Sequence, residues 1–498
     1  MTQSYWKRGG DLRSMMLKLT HRQVNWTGGK VNCQGHVGNP YLYPMKFLFR
    51  PTDIAPLIFF RLAFGVLAFI DVLSSYLYYH IQKDAFNPER FQFPYYGFEW
   101  VKVFPDPWMT VFFVVLLLLA VAITLGYRYR LATTLFFFGF TYLFLLEKAS
   151  YLNHGYLFCW ICFVMIFLPA NRAFSWDVKQ GRKIGWSHMP YWPLFLLQFL
   201  MGIVYFFGGI AKLNPDWLRA MPLQIWLPAK SNAFLIGPLL KTPEAAYFMA
   251  YGGLFLDLAI VPMLLYKRTR VLALLMAIFF HCTNALVFSI GIFPYLSLCL
   301  TAMYFAPTFP RVTLNNLIDR FPKRLGFFRI PPLPLEPLNQ PALQAYSPKK
   351  NWQITAIALL VGVHMLLPLR HHLFPGNVAW TEEGHRYSWR MMLRSKAGSG
   401  VFVVEDLATG EKERVRPRDY LWYKQERKMY THPDMILQFA HFLQKEYEAQ
   451  GKKVAIYADI QVKLNDHPKQ RYIDPARDLT QIRWKIFEHS DWILEPAF

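Results

Sequence analysis

The chain has 498 residues, of which 54% are hydrophobic and 18% aromatic, and its mean hydropathy is +0.16. That load, carried in long uninterrupted runs, excludes an ordinary soluble globular protein. The net charge of +22 does not point to nucleic acid, because the lysines and arginines fall in loops between the apolar runs, as membrane orientation requires.

Residues 1–50 are polar and basic, with no early apolar stretch. No cleavable leader is expected, and the first membrane helix is expected to target the protein. Nine apolar segments follow, at about 57–79, 109–126, 130–146, 154–169, 191–211, 246–266, 270–288, 290–306 and 352–369. The basic residues Arg128 and Arg130, Arg172 to Lys183, Lys267 to Arg270 and Arg311 to Lys350 share one side with the N-terminus if nine helices alternate. This predicts a cytoplasmic N-terminus and an external or lumenal C-terminal region. A proline-rich stretch at 329–348 reads as an extended linker. Beyond the ninth segment the pattern alternates. The runs 401–404 and 413–416 flank a turn at Ala408-Thr409-Gly410-Glu411, 435–452 reads as an amphipathic helix ended by Gly451, and 454–464 as a strand. The expected fold is therefore a mainly α membrane protein with about nine transmembrane helices followed by a β-rich α+β extramembrane domain. The expected divisions are 1–50, 51–306, 307–351, 352–375 and 376–498.

Lys212 closes the fifth segment, inside Tyr205-Phe206-Phe207-Gly208-Gly209-Ile210-Ala211-Lys212. A lysine there commonly snorkels to the interface. Held among aromatic residues it is instead a candidate base, since desolvation favours a neutral amine. Gly208 and Gly209 permit close approach of a backbone or a flat ligand. Asn153-His154 follows a tight turn and reads either as a helix start or as a pair that polarises a substrate oxygen. His281, Asp71 and Asp257 are intramembrane polar groups. His281 is equally a site residue or a satisfied structural one, and Arg61 is the expected partner of one of the acids. Of the five cysteines, Cys33, Cys159, Cys162, Cys282 and Cys299, none lies in the C-terminal domain, so no disulfide framework is expected. Cys159-x-x-Cys162 reads as two small buried residues. No phosphate loop, nucleophile elbow or zinc motif is present, and His371-His372 lacks ligand spacing, so no metal is expected.

Several ordered motifs together resemble the vitamin K-dependent gamma-glutamyl carboxylase family. They are Arg50-Pro51-Thr52-Asp53 with Phe60-Arg61, Lys148 with Asn153-His154, Tyr205-Phe206 with Lys212 and Asp216-Trp217, Gly252-Gly253 with Asp257, Phe280-His281 with Asn284, Tyr387-Ser388-Trp389 with Met391-Met392, and Asp474-Pro475. The resemblance implies O2-dependent epoxidation of reduced vitamin K (the hydroquinone) coupled to addition of CO2 at the gamma carbon of a peptide glutamate. It implies Lys212 as the base, Asn153 and His154 at the reacting oxygens, Tyr205, His281, Gly208 and Gly209 around the quinone, and Trp380, Tyr387, Ser388, Trp389, Met391 and Met392 as the glutamate-side wall. The implied partners are a glutamate-containing peptide or protein, membrane lipid and a reductase that regenerates the hydroquinone. Glu147 replaces the aspartate of the animal pattern, and the cysteines of the animal lumenal disulfide are missing. These departures look microbial, which places the protein in a bacterial cytoplasmic membrane, or in the endoplasmic reticulum membrane if eukaryotic. Two alternatives stay open: a quinone epoxidase without peptide carboxylation, and a non-enzymatic transport or scaffold protein on the same helices.

Overall fold

The computed structural model describes residues 47–81, 86–88, 90–230, 237–288, 290–320 and 351–498. The basic stretch up to residue 46, Cys33 and the proline-rich stretch lie outside them. Each of the nine apolar segments forms a helix. They are α1 (Ala55–Ile81), α2 (Trp108–Leu125), α3 (Tyr129–Leu146), α4 (Asn153–Phe167), α5 (Trp192–Ala211), α6 (Pro243–Leu265), α7 (Arg270–Phe288) and α8 (Phe293–Ala302), then, after the polar helix α9 (Phe309–Arg320), α10 (Asn351–Leu366). A 3-10 turn, Leu367–Leu373, extends α10. Among the described residues, seven of these helices are long and apolar enough to cross a membrane, while α4 and α8 are shorter.

The 15 residues of α4 rise only about 22 Å, short of the roughly 30 Å of a hydrocarbon core. Pro169 stops the helix, because the residue before a proline resists helical backbone. The chain beyond it is irregular, and its carbonyls need donors away from water. Arg61 supplies them. Its guanidinium is buried and donates to the carbonyl of Ala170 at 2.7 Å, to that of Ala173 at 3.2 Å and to that of Phe174. The expectation that Arg61 pairs with an intramembrane acid is thereby overturned. Asp71 stands ten residues further along α1, about 15 Å away by helix rise, and Asp257 has another partner.

Two short strands, β1 (Pro51–Asp53) and β2 (His188–Pro190), pair antiparallel at the end of the bundle where α1 starts. Asp53 accepts from the Ala55 amide at 2.8 Å and from Nη2 and Nε along one edge of the Arg311 guanidinium at 2.9 and 3.0 Å, so one carboxylate caps α1 and ties α9 to it. Gly65 sits where α1 meets α2. A Cβ there would lie 2.9 Å from the Thr124 nitrogen and 3.0 Å from its Cα. Gly65→Ala is therefore expected to destabilise the bundle by about 1–3 kcal/mol, seen as a lower thermal midpoint in detergent; an unchanged midpoint refutes this packing.

The C-terminal domain carries a four-stranded antiparallel sheet in the order β4-β3-β5-β6, from β3 (Lys396–Asp406), β4 (Lys412–Val415), β5 (Val454–Leu464) and β6 (Gln470–Arg471). The expected hairpin is β3–β4, with Phe402 opposite Val415 and Gly410 at a φ of 72° in the turn. β3 also pairs along its whole length with β5, Lys396 opposite Leu464 and Asp406 opposite Val454. Helix α11 (Tyr423–Met429) precedes α12 (Pro433–Glu448), the expected amphipathic helix. α12 lays Phe439, Ala440 and Leu443 on Phe402, Ile456 and Ile460 of the sheet.

Candidate active site

A cavity of about 900 Å³ lies where one end of the bundle meets the C-terminal domain. That volume suits a small-molecule ligand. Its membrane half is lined by Asn153, His154, Tyr205, Lys212, Asp257 and His281 among aromatic residues, and its outer half by basic side chains of the C-terminal domain.

Lys212 is the first residue past α5, and Asn214 then caps the next turn by accepting from the Trp217 amide at 3.0 Å. This sharp exit turns the lysine inward instead of letting it snorkel. Its side chain is 9% exposed, lies 5.3 Å from the centre of the Trp217 ring, and makes an ion pair with Asp257 of α6. Gly208 and Gly209 explain how α6 comes so near. A Cβ on Gly208 would stand 3.0 Å from Asp257 Oδ2, and one on Gly209 would stand 3.2 Å from the Leu258 nitrogen. The two glycines therefore face a helix, and the cavity wall does not include them.

Asn153 and His154 open α4, carried there by the turn after α3. Asn153 Oδ1 accepts from the Tyr151 hydroxyl at 2.8 Å, which leaves its amide N–H groups for the cavity. The His154 ring packs on Phe293 at 5.5 Å, and among the described residues its nitrogens make no hydrogen bond. His281 Nε2 lies 2.8 Å from the Tyr205 hydroxyl, and His281 Nδ1 is buried without a partner among the described residues. An orphaned polar atom on an aromatic wall, beside an amine and an amide, fits a ligand with a flat apolar ring and polar oxygens.

The outer half is more basic than the sequence reading anticipated. Lys148, Arg386, Arg390, Arg394, Lys396, Lys424, Arg427 and Lys428 line it. Asp434 neutralises part of that charge by accepting from Lys148 at 2.6 Å and from Arg386 at 2.7 Å. Burial alone would raise the Asp434 carboxyl, but Arg386 and Lys148 outweigh it and hold it below the usual carboxylate range. Glu382 takes Lys396 at 3.1 Å and Arg394. Among the described residues, Arg390 and Lys428 have no acidic partner. Burial, with Arg394 adding to it, brings Arg390 down to about 10 and Lys428 to about 8.

Met391 and Met392 line the cavity. The other expected wall residues are held elsewhere. Trp380 is fully buried in the domain core, its indole donating to the Leu494 carbonyl at 2.7 Å. Ser388 donates to the carbonyls of Gly384 and His385, both at 2.6 Å. Trp389 packs on Tyr156 at 5.5 Å, and the Tyr387 amide donates to the Tyr151 hydroxyl at 2.7 Å. None of the four lines the cavity, and the two tryptophans bury their rings in the domain core and the bundle core. Within 382–392 the non-glycine residues Glu382, Tyr387, Trp389 and Met392 have φ of 63°, 69°, 57° and 51°. Backbone strain of this density collects at functional sites. The cations missed at sequence level had a visible signal in the four-residue spacing of Arg386, Arg390 and Arg394. Cys159 and Cys162 are free and buried, as expected.

Seven helices long and apolar enough to cross a membrane, capped by an α+β domain that closes one cavity over a buried amine–carboxylate pair and a basic wall, define a mainly α membrane protein. The sequence profile of the HTTM domain matches residues 49–309, and that of the vitamin K-dependent gamma-carboxylase lumenal domain matches residues 349–497. The chain belongs to the vitamin K-dependent gamma-glutamyl carboxylase family. No solved structure matches it.

Proposed function

We propose that this protein is an integral-membrane vitamin K-dependent gamma-carboxylase. It would couple O2-dependent epoxidation of the hydroquinone to addition of CO2 at the gamma carbon of a peptide glutamate. The observation that carries this reading is the union, in one cavity, of the Lys212–Asp257 pair with a wall whose cations outnumber its acids. Bound reduced vitamin K supplies the electrons for O2 and, through that oxidation, the basicity that a glutamate gamma proton demands. The residues do the rest. Lys212 Nζ accepts the proton of a ring hydroxyl when Asp257 holds the proton of the pair. The Asn153 amide donates to a ring oxygen, with His154 beside it, and His281 Nδ1 meets the opposite face of the ring. The aromatic lining keeps water out. Arg390 and Lys428 take the carboxylate of the incoming peptide, which approaches across Met391 and Met392. The division of the chain proposed from the sequence fits this scheme, with the C-terminal domain outside a bacterial cytoplasmic membrane and a membrane reductase returning the hydroquinone.

The test uses purified protein in nanodiscs with hydroquinone, O2, labelled bicarbonate and a glutamate-rich peptide. Epoxide and peptide-bound label appearing together support the reading. Epoxide without label would indicate a quinone epoxidase, and neither product would favour a non-enzymatic role. Arg390→Ala and Lys428→Ala are each expected to raise KM for the peptide by about 10-fold to 100-fold, the worth of a charge-assisted hydrogen bond. An unchanged KM removes both residues from the peptide site. Lys428 is protonated below about 8 and loses its charge above it, so peptide affinity should fall as pH rises through that value. Lys428→Arg, which keeps its charge, should abolish the fall.

A further inference from the structure

The membrane half of the cavity is bordered by largely exposed apolar side chains. Phe248, Gly252 and Phe255 recur on one stripe of α6, and Met276, Phe279 and Phe280 on one stripe of α7, and all six line the cavity. Three of them are also among the more exposed side chains of the bundle: Phe248 at 65%, Phe255 at 57% and Phe279 at 61%. Residues that line a cavity and also face outward mark an opening in its wall. The glycine pair of α6 defines that opening. A Cβ on Gly252 would meet nothing within 4 Å, whereas one on Gly253 would lie 3.5 Å from Phe280 and 4.0 Å from Lys212 Cε. One glycine thus borders open space, and the next borders the amine. None of the six residues on the two stripes carries a charge.

We propose that the gap between α6 and α7 is a lateral portal, through which the polyprenyl tail of the quinol projects into the bilayer while its ring sits at Lys212. This rests on the hydroquinone reading above. The occupant follows from the chemistry of the two cavity halves. The outer half is lined with cations and rejects a hydrocarbon chain, whereas the α6–α7 gap is lined by aromatic residues, of which Phe248, Phe255 and Phe279 are largely exposed on helices apolar enough to cross a membrane. A peptide is excluded from the gap because its backbone would find no hydrogen-bond partners there.

Gly252→Trp would place an indole in the gap from a position where a Cβ meets nothing within 4 Å. Binding of two oxidised quinones to the full-length protein in nanodiscs, read by quenching of intrinsic fluorescence and therefore independent of turnover, tests the portal. The probes are tailless 2-methyl-1,4-naphthoquinone and its polyprenyl-substituted analogue. Gly252→Ala, which leaves the gap open, controls for folding and for the helix change. The expected result is that wild-type protein and Gly252→Ala prefer the tailed quinone, and that Gly252→Trp loses about 10-fold of that affinity while binding the tailless quinone as before. Equal loss for both quinones, or no loss, overturns the portal. Equal affinities in wild-type protein also overturn it, since the gap would then hold a lipid acyl chain instead. Failure of the wild-type protein to bind either quinone sinks the hydroquinone reading itself, a different outcome from failure of the portal.

Discussion

Lys212→Ala is expected to lower hydroquinone oxidation by about 100-fold to 10,000-fold, the range for loss of a positioned general base. The alanine variant alone is ambiguous, because it leaves Asp257 buried without its partner, and an unpaired buried charge costs about 3–5 kcal/mol. Lys212→Arg removes the ambiguity. A guanidinium keeps the charge opposite Asp257 but does not release a proton in a protein. If Lys212 is the base, both variants lose epoxide formation while the arginine variant keeps its thermal midpoint. If Lys212 is a structural cation, the arginine variant stays active, and the proposed chemistry loses its base. Epoxide yield and thermal unfolding, measured on the same preparations, distinguish the two cases.

The second large effect is expected at Asp434. Its carboxylate holds Lys148 from the bundle and Arg386 from its own domain, so Asp434→Ala leaves two buried cations facing each other. A loss of about 3–5 kcal/mol is expected, seen as a lower midpoint and weaker seating of the C-terminal domain on the bundle. The pH dependence follows from the same pair of contacts. The folded-state value of Asp434 lies below its unfolded one, so this stabilisation is present above the unfolded value of about 4 and is lost as pH falls toward the folded one. Asp434→Asn should flatten that part of the acid unfolding curve. An acid limb identical in the variant and the parent would show that the clasp contributes nothing.

What the sequence determined alone is whatever depends on neighbours in the chain. Among the described residues, a helix stands at each of the nine apolar runs, and the seven that are long and apolar enough to cross a membrane do so because hydropathy over some twenty residues decides whether a segment prefers lipid. The β3–β4 hairpin forms around Gly410 because turn chemistry is local. Lys212, Asn153 and His154 were singled out by position, and they do line one cavity. What the tertiary structure decided is which distant groups meet. Lys212 found Asp257, 45 residues away, and Arg61 found the carbonyl of Ala170, 109 residues away, in place of an acid. Trp380 and Ser388 turned away from the cavity, while Arg390 and Lys428 entered it with no acidic partner among the described residues. Such pairings depend on the rotation and packing of helices and strands far apart in the chain. A rotation of one residue on a helix, about 100°, changes which side chain faces a partner without altering the hydropathy of the segment.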